Sequence, residues 1–288
     1  MNTPSISASA TEPGAGTRLP GGRIGTGTAD VHAPVRQPVG RAVRAYLQDI
    51  RCECLALLRT LSFSLPTLLF PPMFYVLFAV VMPFGRSGGW QAAHYLLATY
   101  VVFGVMAPGL FGFGVSVAMD RQRGWLRLRR VGPMPASAYL VAKLVMAMAF
   151  AAVIFAIMAT IAATVGGVRL PATQWLLLLL VAAFGVLPFC AIGLFIGAIS
   201  SGDGAPAIVN LIYLPMAFLS GLWVPLMVLP TAIQAAAPLW PAYHLGQTAL
   251  AAIGQPAQGS VLVHVVALLA VTAVFFVLAR RRLAREAA

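Results

Sequence analysis

The sequence predicts an all-α membrane protein with six transmembrane helices, and three observations carry that prediction. The 288 residues are 60% hydrophobic and 9% charged, where a soluble domain carries about 25% charged residues. Six apolar stretches reach the length of about 20 residues that a bilayer crossing needs. The basic residues also fall on one side of those stretches when they are threaded through a membrane, as topology signals do.

The spans are expected at 61–83, 92–119, 136–165, 174–199, 205–228 and 258–280. Residues 1–40, rich in Ser, Thr, Gly, Pro and Ala, have too little apolar content to order themselves and read as a cytoplasmic tail. In residues 41–60, Val43, Leu47, Ile50, Cys54, Leu57, Leu58 and Leu61 recur at three- and four-residue steps. Arg41, Arg44, Gln48, Asp49, Arg51 and Glu53 take the other faces. That pattern predicts an amphipathic helix in the membrane interface. The first span contains Pro66, Pro71 and Pro72, which predicts a kink or a late start.

Arginine placement sets the orientation. With both termini cytoplasmic, the inner side holds Arg41, Arg44, Arg51, Arg59, the loop after the second span, and Arg280, Arg281, Arg282 and Arg285. The outer side then holds only Arg86 and Arg169. The net charge of +12 is thereby explained by topology, and nucleic acid is not expected as a partner.

Residues 219–257 contain no Lys, Arg, Asp or Glu, yet Gly221, Pro225, Pro230, Pro238 and Pro241 break them. Short helices dipping back into the outer leaflet fit such a stretch over 225–250, as does an ordinary hydrophobic outer loop. Trp223, Trp240 and Tyr243 suit an interfacial aromatic belt.

The chemistry excludes several functions. None of the seven acidic residues, Glu12, Asp30, Asp49, Glu53, Asp120, Asp203 and Glu286, falls inside an expected span, which argues against ion-coupled transport. His94 and His264 sit toward outer helix ends and read as structural residues. The histidines form no H-E-x-x-H, and neither Ser116 nor Ser220 completes a G-x-S-x-G elbow. Cys52, Cys54 and Cys190 make neither a disulfide framework nor a zinc site, so no metal is expected. The only lysine, Lys143, follows Ala142, so no phosphate-binding G-x-x-x-x-G-K exists. Energy for uphill transport would have to come from another subunit.

The most charged interior segment is Asp120-Arg121-Gln122-Arg123-Gly124-Trp125-Leu126-Arg127-Leu128-Arg129-Arg130, followed by Gly132-Pro133-Met134-Pro135. It reads either as a docking loop for a soluble partner or as a positive topology signal alone. Trp125, Leu126 and Leu128 would supply an apolar anchor, and Arg121, Arg123, Arg127, Arg129 and Arg130 charge for an acidic rim.

Three features together resemble the membrane subunits of type-2 ABC exporters, the drug, lipid and polysaccharide export permeases. They are the amphipathic helix 41–60 before six spans, the 120–135 loop with its Pro-x-Pro end, and Phe218-Leu219-Ser220-Gly221-Leu222-Trp223-Val224-Pro225 with Leu229-Pro230 and Pro241. The likeness covers residues 41–288. That family carries glutamate more often than aspartate at the position of Asp120.

The resemblance implies an inner-membrane permease dimer, homodimeric or heterodimeric, seated on two ATP-binding subunits. In that arrangement this chain binds no cofactor, and ATP and Mg belong to the partner subunit. The loop after the second span, including Asp120 and Gly124, would be the coupling element. The substrate path would run between the second and fifth spans. Tyr95, Thr99, Phe103 and Met106 share one face there, as do Asn210, Tyr213, Ala217 and Ser220. Helix–helix packing accounts for the same residues equally well. An amphipathic or apolar drug-like or lipid-like cargo is expected. The competing readings are a membrane enzyme on lipid-linked substrates and a non-transporting anchor or sensor.

Overall fold

A computed structural model describes residues 39–82, 89–125 and 136–285. Residues 1–38 of the expected tail, Arg86, the loop residues Leu126, Arg127, Leu128, Arg129 and Arg130, and Glu286 lie outside the described residues, and the last two positions of the expected tail open α1 instead. Every regular element described is helical. In chain order they are α1 (Val39–Arg59), α2 (Leu61–Tyr75), α3 (Gly89–Gln122), α4 (Ala136–Thr164), α5 (Ala172–Gly185), α6 (Leu187–Ile199), α7 (Ala205–Leu219), α8 (Thr231–Ala236), α9 (Pro241–Ala252) and α10 (Val261–Arg285).

Five stretches among the described residues are long and apolar enough to cross a membrane: Phe63–Val81, Ala92–Gln122, Ala138–Thr164, Ala172–Ile199 and Val261–Arg285. The fifth expected span, 205–228, differs. Its helix ends at Leu219, leaving 15 residues. The chain reverses at Gly221, whose φ of +75° is open to glycine at little cost, and Pro225 follows.

The first span, expected to kink or to start late, does not start late. It starts at Leu61 and keeps Pro66, Pro71 and Pro72 inside the helix. Instead of starting late, it widens into a π-helical turn over Val76–Val81. Consecutive prolines withdraw two N–H donors from the helical ladder, and the wider turn begins four residues after them. The expected fourth span is one stretch in two helices, with Pro188 in the first turn of the second.

α3 is the centre of the bundle, buried for most of its length, whereas α10 is hardly covered. The packing of α3 on α6 depends on glycine. A Cβ on Gly193 would stand 2.6 Å from the Gly109 carbonyl oxygen, and one on Gly109 would stand 2.6 Å from Phe189 Cβ. Without a hydrophobic drive between helices in lipid, such close backbone approach is what dispersion needs. On α1, Val43 (52%), Leu47 (61%) and Leu58 (48%) stay exposed on the apolar stripe.

Candidate coupling base and transmembrane groove

The end of α3 brings Asp120, Arg121 and Gln122 to Lys143, the end of α6 and Asp203. α3 ends where Gly124 adopts a φ of +76° and its N–H donates to the Arg121 carbonyl at 3.1 Å, a glycine stop of the ordinary kind. Just before it, the Asp120 carboxylate accepts a 2.6 Å hydrogen bond from the Tyr139 hydroxyl of α4. It also lies 3.5 Å from the Lys143 ammonium. Lys143, only 2% exposed, donates to Glu53 of α1 at 2.8 Å and stands 4.8 Å from the centre of the Tyr139 ring. A buried ammonium is tolerated only with such partners. Two carboxylates and a π face supply them, and the cluster joins α1, α3 and α4.

The next residues tie α3 to α6. The Arg121 guanidinium donates to the Ala198 carbonyl and, at 2.6 Å, to the Ser200 carbonyl. A cation on the last carbonyls of a helix is favoured by their free lone pairs and the helix dipole. Gln122 accepts from the Gly202 N–H at 2.6 Å and donates to Asp203 at 3.4 Å. The Arg121 guanidinium therefore points into the protein. Arg123 and Trp125 are exposed, Trp125 at 55%. Nearby, burial and the Glu53 charge push the Cys54 thiol above its ordinary value, keeping it protonated.

Higher in the bundle an aromatic groove of about 370 Å³ opens between α2, α3 and α7. Phe63, Phe70 and Phe74 line it from α2, Phe103 and Phe111 from α3, Asn210 and Tyr213 from α7, and Trp223 closes one end. Tyr213 stacks on Phe103 at 5.2 Å and meets Phe111 edge-on at 5.7 Å. Its hydroxyl donates to the Phe103 carbonyl at 3.3 Å.

Of the path residues expected from sequence, Phe103, Asn210 and Tyr213 meet in this groove. Thr99, Met106, Ala217 and Ser220 are buried. Thr99 bonds back to the Tyr95 carbonyl at 3.2 Å. Tyr95 does other work: its hydroxyl donates to the Gly221 carbonyl at 3.1 Å, and Tyr100 donates to the Trp223 carbonyl at 3.3 Å. These bonds satisfy backbone oxygens that the end of α7 leaves without helical partners. The α2 aromatics are not among the path residues expected from sequence. Their signal was present, because positions 63, 70 and 74 share one helical face.

The broken stretch also takes shape. Pro225 precedes a 3-10 turn at Leu226–Val228, Pro230 precedes α8, and Pro241 opens α9. Each proline stands where no helical N–H is required. Among the described residues, no group of three or more His, Cys, Asp or Glu could hold a metal ion.

Residues 63–281 match a family model described as ABC-2 family transporter protein. The Bacillus subtilis (strain 168) protein "Putative transport permease YvfS" is 30% identical over 201 residues, spanning 68% of this chain and 80% of that protein. The family match runs from α2, through the groove and the helix ends at the base, to the arginines that finish α10. The chain belongs to the ABC-2 family of transporter proteins, as a multi-pass membrane permease.

Proposed function

We propose that this chain is the transmembrane subunit of an ATP-driven exporter, moving an amphipathic or apolar compound outward by alternating access. It pairs with a second permease subunit and with separate ABC ATP-binding subunits that hold ATP and Mg. In this reading α7 completes a six-crossing bundle in the inner cell membrane with both termini cytoplasmic. α1 then lies in the interface, and the 225–250 segment re-enters the outer leaflet.

The observation that carries the proposal is the base of α3. An exposed tryptophan follows a helix end that Asp120, Arg121 and Gln122 fasten to α4, α6 and the 202–203 turn. Lys143 extends the cluster to α1. A push delivered at Trp125 would be passed to these helices as a unit, because packed helices shift as rigid bodies. α3 also lines the aromatic groove, so the same displacement would change access to it. The groove walls are mostly aromatic and aliphatic, with Asn210, Thr67 and Tyr213 as the polar side chains, which suits a cargo with apolar faces and few polar groups.

The test is the double variant Trp125→Ala, Leu126→Ala, co-expressed with the ATP-binding subunit and reconstituted in vesicles. Transport per nucleotide hydrolysed is expected to fall about tenfold or more, as for loss of an interface anchor worth about 1.4 kcal/mol or more. Transport equal to wild type in that variant would sink the coupling role.

A further inference from the structure

The transport reading leaves one polar cluster unused, at the end of the bundle away from the coupling base. His244 of α9 and His264 of α10 face each other with their Nδ1 atoms 2.9 Å apart. Each ring is fixed from behind. His244 Nε2 lies 2.9 Å from the Pro238 carbonyl oxygen, and His264 Nε2 lies 2.6 Å from the Gln258 carbonyl oxygen. A carbonyl can only accept, so both Nε2 atoms must carry hydrogens.

Those two hydrogens complete the count for two neutral imidazoles. Both Nδ1 atoms would then be bare lone pairs, directed at each other at hydrogen-bond distance. Such a contact is repulsive unless a third proton lies between them. With that proton the same geometry becomes an N–H···N bond between one imidazolium and one imidazole.

We propose that His244 and His264 form a one-proton site, an imidazole–imidazolium pair that latches α9 to α10 and holds the 253–260 loop between them. Gln258 is the centre of that loop. Its N–H donates to Gln247 Oε1 at 2.7 Å, and its side-chain oxygen accepts from the Tyr243 hydroxyl at 3.2 Å. Its backbone carbonyl is the one that fixes His264. Losing the shared proton forces one ring to turn or to change tautomer, which breaks the bond to Pro238 or to Gln258.

The surroundings favour one proton and no more. Tyr243 packs edge-on against both rings, at 5.4 and 5.8 Å. α3 presents His94 and Tyr95 toward this end, and the segment before α5 brings the exposed Arg169. α5 contributes the neutral Gln174 beside Gly254. α6 carries only Cys190, and residues 204–279 contain no Asp, Glu, Lys or Arg. Burial lowers the affinity of His244 for a proton, the Pro238 carbonyl raises it, and a charged His264 lowers it again. Two imidazolium charges with Nδ1 atoms 2.9 Å apart would repel, which disfavours a second proton. The direction follows from the geometry: the latch is closed below the pair's midpoint and released as pH rises through it. This site does not depend on the exporter reading.

The full-length protein in detergent micelles, with 15N-labelled histidine, tests the site by NMR titration between about pH 5 and pH 9. Wild type is expected to take up a single proton on the two Nδ1 atoms, with both Nε2 atoms protonated at the acidic end. Two independent protons, no titration, or a signal abolished by a metal chelator would overturn the site. In parallel, amide exchange over 253–260, corrected for its intrinsic pH dependence, should accelerate about tenfold above the midpoint. His244→Asn places a neutral amide near the Nδ1 position, and its exchange should be independent of pH. An undiminished pH response in that variant would also overturn the latch.

Discussion

The Lys143 ammonium sits 2.8 Å from the Glu53 carboxylate, joining α4 to the amphipathic α1, 90 residues earlier in the chain. Lys143 is too deeply buried to carry its charge unpaired. A 2%-exposed ammonium without an anion would pay several kcal/mol in lost hydration. Replacing Glu53 by Gln should lower stability by about 2 kcal/mol, because Asp120 remains as a second, longer partner. In a double-mutant cycle with Lys143→Met, thermal unfolding of the purified protein should show coupling of at least about 1 kcal/mol. Strict additivity would mean that the contact contributes nothing.

Close backbone approach gives a second prediction. Gly193→Ala places a methyl 2.6 Å from the Gly109 carbonyl and 3.0 Å from that of Leu110. Backbone oxygens cannot swing aside, so α3 and α6 must separate, at a cost of about 2–4 kcal/mol. Gly112→Ala is the control, since its Cβ would meet only the mobile Met146 Cε at 3.5 Å. Within about 0.5 kcal/mol, its thermal unfolding should match wild type.

The turn after α7 makes a third. Gly221→Ala suffers twice, from a φ of +75° and from a Cβ placed 2.4 Å from Leu226 Cγ. The left-handed backbone alone costs about 1–2 kcal/mol. Adding Leu226→Ala should remove the clash but not the backbone penalty. The double variant should therefore unfold at a higher temperature than the sum of the single effects predicts.

Groove selectivity is the fourth. Phe70 and Asn210 line the groove and are exposed, so Phe70→Ala and Asn210→Ala should leave the fold intact. Each should shift, by about threefold or more, the concentration of transported compound that half-maximally stimulates the coupled ATPase. Unchanged half-maximal concentrations in both variants would place the cargo elsewhere.

Some of this protein was written in its sequence. Length, hydropathy and the one-sided arginines determined a helical membrane protein, because each span buries its own backbone hydrogen bonds and so declares itself locally. The amphipathic stripe of α1 and the proline breaks after α7 were equally local. The tertiary structure alone decided what depends on residues far apart in the chain. Asp120 meets Tyr139 and Lys143, Arg121 turns inward onto the end of α6, and the α2 phenylalanines complete a groove with Phe103 and Tyr213. His264, which reads as a solitary structural residue, acquires His244 as a partner. Spacing along one helix shows which residues share a face. Which face then meets another is set by where glycines allow close approach and where buried charges find partners.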